Sequence, residues 1–297
     1  MTGTSIAVLG PGAVGGALAT RLSLAGFHVI VVGPPETIGL IALAGIVVET
    51  QEGTLSARPE VRERLTTPVN LLVVSVKAPA LEDALQRVEP SAVESGVALA
   101  VLNGLEHMAA MRTRFGDRAA AGSVSHYQAY RPGRVQIVEA SAPPLVTMAS
   151  DTLPRSDVER AADLLRAARL EVRVGQSEKR VLWHKAARIA ALAAATSASG
   201  RTVGELRSDP VWRERLQAAI AEACDVAEAD GVSLNVQAQL AIIDEIASEA
   251  TTSAARDVAA SRVSELDAIV GSVLRAGVRL GVRTPTLREL ATAAGLP

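Results

Sequence analysis

Apolar runs separated by glycines open the chain. An apolar run over residues 6–9 leads into Gly10-Pro11-Gly12-Ala13-Val14-Gly15, and a second run follows over residues 29–32. Between the two runs, Val14, Leu18 and Leu22 recur with the spacing of one helical face. This pattern predicts a strand, a glycine turn, an amphipathic helix and a second strand within about thirty residues.

The spacing of the three glycines gives each a separate task. Gly10 permits a tight turn, Gly12 lets the backbone approach a pyrophosphate, and Gly15 lets the helix pack close to the strand. The N–H groups and the dipole at the helix N-terminus favour a phosphate there. The sequence therefore predicts a cofactor-binding turn, the alternative being a similar turn that binds nothing, and its residues are Gly10, Pro11, Gly12, Ala13, Val14 and Gly15.

The segment after the second strand bears on the choice between NAD and NADP. Gly33-Pro34-Pro35-Glu36 is expected to form a rigid turn at the adenosine ribose, where an acidic residue favours NAD and a basic one NADP. Two prolines separate Glu36 from the strand, and no Arg or Lys lies between Phe27 and Gln51. Discrimination between the cofactors is therefore expected to be weak unless a distant arginine, such as Arg58, folds in.

Two further strands place polar residues at their ends. Apolar runs over 69–76 and 97–102 end at Lys77 and at Asn103-Gly104. Because ligands of doubly wound sheets lie at the carboxyl ends of strands, Lys77 and Asn103 are candidate site residues. The alternatives are a solvated lysine and an ordinary turn dipeptide.

The rest of the pattern divides the chain into an α/β part and an all-helical part. Strands are expected at 45–50 and 53–56, which form a hairpin. Further strands at 121–125, 135–138, 145–148 and 171–174 are expected to continue the first sheet in antiparallel fashion. Helices are expected in this part at 81–88, 106–115 and 154–168. After residue 178 only helices are expected, over 178–199, 210–230, 236–250, 262–280 and 285–294. The fourth of these has an apolar stripe of Val263, Leu266, Ile269, Val273 and Gly277. The prediction is a Rossmann domain over 1–175, for dinucleotide binding, and an all-α substrate domain over 176–297.

Composition excludes several classes of function. The chain has 297 residues, 48% of them hydrophobic and 2% aromatic, and a net charge of −2, which does not fit a nucleic-acid footprint. The single Cys224 excludes an intramolecular disulfide and a cysteine metal cluster, and the four histidines lack metal-ligand spacing. There is no signal-peptide pattern, and the apolar run over 186–198 is short and contains Arg188. These features predict a cytoplasmic protein without a membrane or nucleic-acid partner.

Lys185 is the candidate for acid chemistry in the helical part. Reduction of a carbonyl by a nicotinamide needs a proton donor for the developing alkoxide. Helical spacing puts Lys185 and Arg188 beside an apolar face that carries Ile189 and Ala193. Lys185 would then lie at a boundary where a cleft wall could form, although a lysine on a helix is usually solvated.

Several motifs, in this order, give the chain a resemblance to the ketopantoate reductase (2-dehydropantoate 2-reductase) family over nearly its whole length. They are Gly10-x-Gly12-x-x-Gly15, Ser75-Val76-Lys77-Ala78, Asn103-Gly104, Trp183-His184-Lys185, and Ser253-x-x-x-Asp257 with Ser264-Glu265-x-Asp267-x-x-x-Gly271. The resemblance implies a 6-phosphogluconate-dehydrogenase-like architecture with the site between its two domains, NADP as cofactor with NAD as the alternative, and a role in pantothenate biosynthesis.

The resemblance also implies roles for individual residues. Lys185 matches the catalytic acid, and Asn103 matches a residue that contacts substrate and nicotinamide. Ser253 matches the ligand of the substrate carboxylate, Glu265 the partner of the substrate hydroxyl, and Lys77 a contact on the cofactor side. The alternatives are a helix cap for Ser253 and a solvated helix face for Glu265.

The chain departs from the family at positions that concern specificity. Gly33-Pro34 stands where the family carries an arginine for the 2′-phosphate, and Ile189 and Ala193 stand where it carries two asparagines that line the cleft. An apolar wall would replace a polar one, with Arg188 beside it as a candidate anchor for the substrate carboxylate.

These observations leave three hypotheses for the function. The first is reduction of a 2-oxo acid, nominally ketopantoate to pantoate. The second is a D-2-hydroxyacid dehydrogenase for an apolar, branched substrate. The third is a nicotinamide-binding sensor, which Lys185, Ser253 and Glu265 argue against because a sensor needs no proton donor. The expected partner is a small 2-oxo acid, and the oligomeric state stays open, with a homodimer as one form.

Overall fold

The computed structural model describes residues 3–141 and 143–296. The chain divides into two compact units, an α/β unit and a helical unit. The α/β unit comprises the chain up to Leu102 together with His107–Val181, and the helical unit comprises Asn103–Glu106 together with the chain from Leu182 onward. Within the described ranges, none of the helices is both long and apolar enough to cross a membrane.

The α/β unit alternates strands and helices. Its strands are β1 (Ser5–Leu9), β2 (His28–Val32), β3 (Ile46–Thr50), β4 (Gly53–Ala57), β5 (Glu60–Arg62), β6 (Leu71–Val74), β7 (Val97–Ala100), β8 (Ala119–Ser125), β9 (Ala129–Tyr130), β10 (Gln136–Glu139), β11 (Leu145–Ala149) and β12 (Glu171–Val174). Its helices are α1 (Ala13–Leu24), α2 (Pro35–Ala44), α3 (Leu81–Leu85), α4 (His107–Phe115) and α5 (Arg155–Ala167).

The strands form two sheets. The large sheet has the order β12-β11-β8-β7-β6-β1-β2-β5, parallel from β5 to β8, with β11 antiparallel to β8. The small sheet has the order β4-β3-β10-β9. The central strands β1, β6 and β7 are almost completely buried, as expected for parallel strands with helices on both faces. The order reverses beside β1, so the carboxyl ends of β1 and β6 form the edge where doubly wound folds bind ligands.

The sequence-based prediction was wrong at several places in this unit. Of the expected antiparallel continuation, only the β8–β11 pair is antiparallel, whereas β8 pairs with β7, and β12 with β11, in parallel. The segment expected to be a rigid turn at 33–36 begins α2, because Pro35 occupies the first helical position, where its missing N–H costs nothing. Strand β5 is too short to give a periodic signal and was missed. Strand β10, expected in the first sheet, pairs with β3 of the small sheet, and a pairing across that sequence distance leaves no local pattern.

The helical unit is built from α6 (Glu178–Ser199), whose first turn belongs to the α/β unit, and from α7 (Val203–Ser208), α8 (Pro210–Ala229), α9 (Val236–Asp244), α10 (Ser253–Ala259), a π-helix (Asp267–Gly271), α11 (Ser272–Leu280) and α12 (Pro285–Ala293). Small side chains let its helices pack closely, and α6 contributes a run of fully buried alanines. Polar N-caps begin four of the described helices: Thr202 in a capping box, Asp209, Asn235 and Thr252.

The predicted stripe on the helix over 262–280 is only partly right. Leu266, Ile269 and Val273 are buried, but Val263 is 69% exposed and precedes the helix. The π-helix then adds a wide turn, which changes the phase of the side chains relative to a continuous α-helix. A 3.6-residue period cannot describe a segment whose turn width changes.

Candidate functional site

The turn between β1 and α1 has the backbone that its glycines predict. Gly10 has a positive φ of 90°, and its N–H donates to the carbonyl oxygen of Val32 at 3.0 Å. A Cβ on Gly10 would overlap with Val76, in the segment that follows β6. Glycine is therefore required here for both the backbone conformation and the close approach of the β6 segment.

Gly15 allows α1 to pack against the same segment. A Cβ at this position would overlap with Ser75 Oγ and with the carbonyl oxygen of Gly10. The Ser75 hydroxyl donates to that carbonyl at 2.8 Å and so fixes the glycine turn from the neighbouring strand. Ser75 belongs to one of the family motifs, but nothing in its local sequence predicts this contact.

Gly12 faces open space, unlike its two neighbours in the motif. A Cβ built on Gly12 would have no heavy atom within 4 Å among the described residues. Gly12 is the N-cap of α1, without a side-chain hydrogen bond, so Ala13 and Val14 present the first N–H groups of the helix. A backbone cradle of this kind fits a pyrophosphate, which the N–H groups and the dipole of the helix would hold.

The other residues predicted on the cofactor side lie near this cradle. Pro11 follows Gly10, and a Cβ on Gly33 would lie 3.4 Å from Pro11 Cδ. Lys77 is exposed and follows Val76, and its carbonyl oxygen accepts a hydrogen bond from Ala80 at 2.9 Å. The predicted turn and Lys77 thus occupy one edge of the large sheet.

Lys185 and Arg188 lie one turn apart on α6, and both are partly buried. The pKa of Lys185 is lowered from 10.5 to about 8, chiefly by burial and then by the charge of Arg188, while the charge of Glu265 acts in the opposite direction. Burial also lowers the pKa of Arg188 to about 10. The two cations and one carboxylate therefore act on one another in a single site, and Lys185 can exchange a proton near neutral pH.

Asn103 and Glu265 meet although 162 residues separate them. The Asn103 side-chain amide donates to Glu265 Oε2 at 3.4 Å, and Glu265 is only 8% exposed. The Asn103-Gly104 turn lies against the π-helix, since Gly104 has a φ of 92° and a Cβ there would overlap with the carbonyl oxygen of Ala268. The dipeptide thus brings the Asn103 amide to Glu265.

An arginine fixes this arrangement from the other side. Arg275 on α11 binds Glu106 through two hydrogen bonds of 3.0 and 2.8 Å and Asp267 through bonds of 2.8 and 3.3 Å. These carboxylates raise the pKa of Arg275. A Cβ on Gly271 would overlap with Asp267 and lie 2.9 Å from Arg275, which explains the glycine of this motif. The carboxylate–arginine cluster links the 103–106 segment to the π-helix.

Ser253 is exposed as the first residue of α10. The cap of α10 is the preceding residue, buried Thr252, which accepts from Ala255 N–H at 3.1 Å and bonds Thr196 of α6 at 2.9 Å. The expected alternative for Ser253, a helix cap, is therefore wrong. Ser264 donates to the carbonyl oxygen of Ala254 at 3.3 Å, so the start of α10 lies next to the segment that carries Glu265.

The two positions that replace family asparagines differ in burial. Ala193 is completely buried in the core of the helical unit, whereas Ile189 is only partly buried against that core. The expectation that both form a cleft wall thus fails for Ala193. Arg188, between them and Lys185, donates to buried Gln239 of α9 at 3.3 Å, a contact that sequence reasoning missed.

Alternative chemistries find little support. Cys224 is buried, and burial together with the charge of Asp225 raises the pKa of its thiol to about 11, which suits packing rather than nucleophilic attack. Over residues 3–141 and 143–296, no group of three His, Cys, Asp or Glu side chains could hold a metal ion.

Comparison with known proteins gives the family. The family model for ketopantoate reductase PanE/ApbA matches residues 6–149, and the model for its C-terminal part matches residues 179–295. A 2-dehydropantoate 2-reductase of Caulobacter vibrioides is 30% identical over 293 residues, which cover 95% of each chain.

Solved structures agree in fold. A D-mandelate dehydrogenase with NADH and anilino(oxo)acetate has a TM-score of 0.89 at 20% identity, covering 98% of this chain and 97% of that one. A PanE/ApbA family ketopantoate reductase from Ralstonia eutropha has a TM-score of 0.87 at 24% identity, with the same coverage. The chain therefore belongs to the ketopantoate reductase family PanE/ApbA, whose members reduce 2-oxo acids with NAD(P)H, and is an NAD(P)-dependent oxidoreductase.

Proposed function

We propose that this protein reduces ketopantoate to pantoate, with Lys185 as the proton donor. The observation that carries the proposal is the partly buried pair Lys185 and Arg188, one turn apart on α6, with the charge of Glu265 acting on Lys185; burial lowers the pKa of Lys185 to about 8. Asn103 joins the cluster through its hydrogen bond to Glu265. An amine with this pKa is protonated at neutral pH and still acidic enough to give up its proton readily.

The chain's own residues would move the proton. When bound, the nicotinamide supplies a hydride to the carbonyl carbon. Lys185 would hydrogen-bond the carbonyl oxygen and donate its proton as negative charge develops there. Burial favours the transfer, because it destabilises the charged amine before the reaction and leaves a neutral amine afterwards.

Arg188 and Ser253 are proposed to hold the substrate carboxylate. A guanidinium can bind a carboxylate through two parallel hydrogen bonds, which fixes orientation as well as position. Gln239 accepts from Arg188 at 3.3 Å and is itself 3% exposed, so it restrains the guanidinium. The hydroxyl of exposed Ser253 would add one further hydrogen bond.

Glu265 is proposed to bind the substrate hydroxyl, and Asn103 is proposed to bind a substrate oxygen or the nicotinamide carboxamide. A carboxylate can accept several hydrogen bonds, and the Asn103 amide donates one of them to Glu265. The hydroxyl of ketopantoate would donate to Glu265. The Asn103 amide has a second N–H, which is suited to the substrate oxygen or the nicotinamide carboxamide.

The glycine cradle of the α/β unit is proposed to hold NADP, with NAD as the alternative. Open Gly12 and the N-terminus of α1 suit the pyrophosphate, and Lys77 at the same sheet edge would contact the cofactor.

A second substrate class has one specific observation in its favour. Ile189 is partly buried on α6, one turn beyond Lys185, where the family has an amide. An apolar side chain there would suit a plain branched or aryl 2-oxo acid, and the similar fold of D-mandelate dehydrogenase with anilino(oxo)acetate is compatible with such a substrate. The product would then be an apolar D-2-hydroxy acid.

A substrate panel tests the proposal. Ketopantoate, 2-oxoisovalerate and phenylglyoxylate are assayed with NADPH and NADH by loss of nicotinamide absorbance. We expect ketopantoate to be used best; a preference of about a hundredfold over 2-oxoisovalerate, roughly 2.7 kcal/mol, would eliminate the apolar alternative. Tight cofactor binding without turnover of any 2-oxo acid would contradict the proposal and support a sensor.

A further inference from the structure

The turn that meets the adenosine ribose carries neither the acid nor the base that usually selects the cofactor. Gly33 is buried and Pro34 is the N-cap of α2. Glu36 is exposed in the first turn of α2, beyond the end of the strand. Arg58, the arginine suggested by sequence, donates instead to the carbonyl oxygen of Leu43 at 3.1 Å, near the far end of α2. A cation for a 2′-phosphate must therefore come from another element.

The small sheet packs directly on the helix that follows the glycine turn. A Cβ on Gly16 of α1 would lie 2.5 Å from Ile137 Cδ1 of β10. Arg21 of α1 forms an ion pair of 2.5 Å with Glu139, which also accepts from the Tyr127 hydroxyl at 2.9 Å. Glu139 is 3% exposed, and its charge together with burial raises the pKa of Tyr127. The β9–β10 hairpin is thus fixed to α1 by apolar and ionic contacts.

The loop of this hairpin reaches the glycine turn. Arg131, directly after β9, donates through Nη1 to the carbonyl oxygen of Pro11 at 3.1 Å. Arg134, three residues further on, is exposed like Arg131; partial burial and then the charge of Arg134 lower the pKa of Arg131. Pro11 also lies beside the end of β2, since a Cβ built on Gly33 would be 3.4 Å from Pro11 Cδ, so Arg131 contacts the glycine turn at the residue that borders the segment after β2.

We propose that Arg131, held at Pro11 by the β9–β10 hairpin with Arg134 beside it, binds the 2′-phosphate of NADPH and makes the protein prefer NADPH over NADH. The proposal rests on the proposed cofactor cradle. One of the five N–H donors of the guanidinium is used by Pro11, and the planar fork can bind phosphate oxygens through the others. The preference for NADPH would then come from the β9–β10 hairpin, about a hundred residues after the turn at which the family carries its arginine for the 2′-phosphate.

The pyrophosphate is the competing target for Arg131. It already has a site in the open cradle at Gly12 and the N-terminus of α1. NADPH and NADH share the pyrophosphate and differ only in the 2′-phosphate. An arginine on the pyrophosphate would therefore affect both affinities equally, whereas one on the 2′-phosphate affects NADPH alone.

Direct binding to the full chain tests the proposal without using turnover. Dissociation constants for NADPH, NADH and 2′-AMP are measured by calorimetry for the wild type, Arg131→Met, Arg134→Met and the matched control Arg58→Met. We expect the wild type to favour NADPH at least tenfold. Arg131→Met should weaken NADPH and 2′-AMP about tenfold or more, the value of a hydrogen bond to a charged group, and leave NADH within about twofold. Arg134→Met should weaken NADPH less, and Arg58→Met should change nothing.

Three results would overturn the assignment: equal wild-type affinities for NADPH and NADH, equal losses of both in Arg131→Met, or no loss of either. Binding of neither cofactor would overturn the cradle as well. A wild type that prefers NADPH through Arg131 but reduces no 2-oxo acid would refute the proposed reaction and leave this inference intact.

Discussion

Replacing Arg188 by methionine should move the pH dependence of reduction to higher pH. After burial, the charge of Arg188 is the next cause of the lowered pKa of Lys185, and only Glu265 opposes it. Methionine keeps much of the apolar length of the arginine and removes the charge. The protonated form of Lys185 should then persist to higher pH.

The size of this change follows from the geometry of α6. Side chains three residues apart on a helix are about 5–6 Å apart at Cβ. Two unit charges at about 6 Å repel by roughly 3 kcal/mol at an effective dielectric constant of about 20 and by less than 1 kcal/mol in water. The pH midpoint should therefore rise by about 0.5 to 2.

The assay is kcat/KM for the best 2-oxo acid as a function of pH. In the wild type, activity should be constant below about pH 8 and fall above it, because free Lys185 must carry its proton when the substrate binds. Oxidation of the 2-hydroxy acid should show the opposite dependence and rise through the same pH. Glu265→Gln is the matched control, since removing its negative charge should lower the midpoint.

Loss of a carboxylate anchor would lower kcat/KM at every pH and would leave the midpoint where it was. The midpoint therefore reports the charge interaction separately from substrate binding. A midpoint that is unchanged or lower in Arg188→Met, or a wild-type profile that stays flat far above pH 8, would refute the assignment of Lys185 as the titrating acid.

Three further changes test other parts of the account. Gly15→Ala should abolish NAD(P)H binding measured by calorimetry, because the new methyl group would overlap with Ser75 and the Gly10 carbonyl, whereas Gly39→Ala, with open space around the new methyl group, is the control for glycine loss. Unchanged affinity in Gly15→Ala would show that the turn is not the cofactor site. Ala193→Asn should lower the free energy of unfolding, measured by chemical denaturation, by about 1–3 kcal/mol, because an unpaired amide would be buried. An unchanged free energy of unfolding would mean that residue 193 does not lie in the core. Arg275→Met should raise KM for the 2-oxo acid about tenfold, which is equivalent to one hydrogen bond of about 1.4 kcal/mol. The melting temperature should change little, because the ion pairs of Arg275 are half exposed. A large fall in melting temperature with unchanged KM would indicate a purely structural role.

Local sequence was sufficient to predict the strand, glycine turn and helix at the start of the chain. The β1–α1–β2 unit is confirmed with nearly the expected bounds, since its signals lie within one short segment. The close packing at Gly10 and Gly15 also follows from their spacing, although the residues that they pack against, Val76 and Ser75 in the segment after β6, were not predicted. The segment at 33–36 was predicted to be a turn, because a proline such as Pro35 can follow a strand as well as begin a helix.

Contacts between distant segments could not be read from periodicity. The contact between Asn103 and Glu265 was not predicted: Asn103 was a strand-end candidate and Glu265 came only from the family resemblance. The structure brings them together by packing Gly104 on a π-helix that no helical repeat predicts. Arg131 is 120 residues from Pro11, and its position depends on β10 joining β3 in a second sheet. The burial of Ala193 likewise depends on how several helices pack, which a single amphipathic face does not specify.

The most direct test of the central claim is a single-turnover measurement on Lys185→Ala loaded with NAD(P)H. After rapid mixing with a saturating 2-oxo acid, the rate of nicotinamide oxidation is compared with that of the wild type, and cofactor affinity is measured in parallel. The account predicts a rate about 10²–10⁴ times lower with nearly unchanged cofactor affinity, because only the proton donor has been removed. A variant that oxidises its nicotinamide at the wild-type rate would contradict the assignment of Lys185 as the catalytic acid.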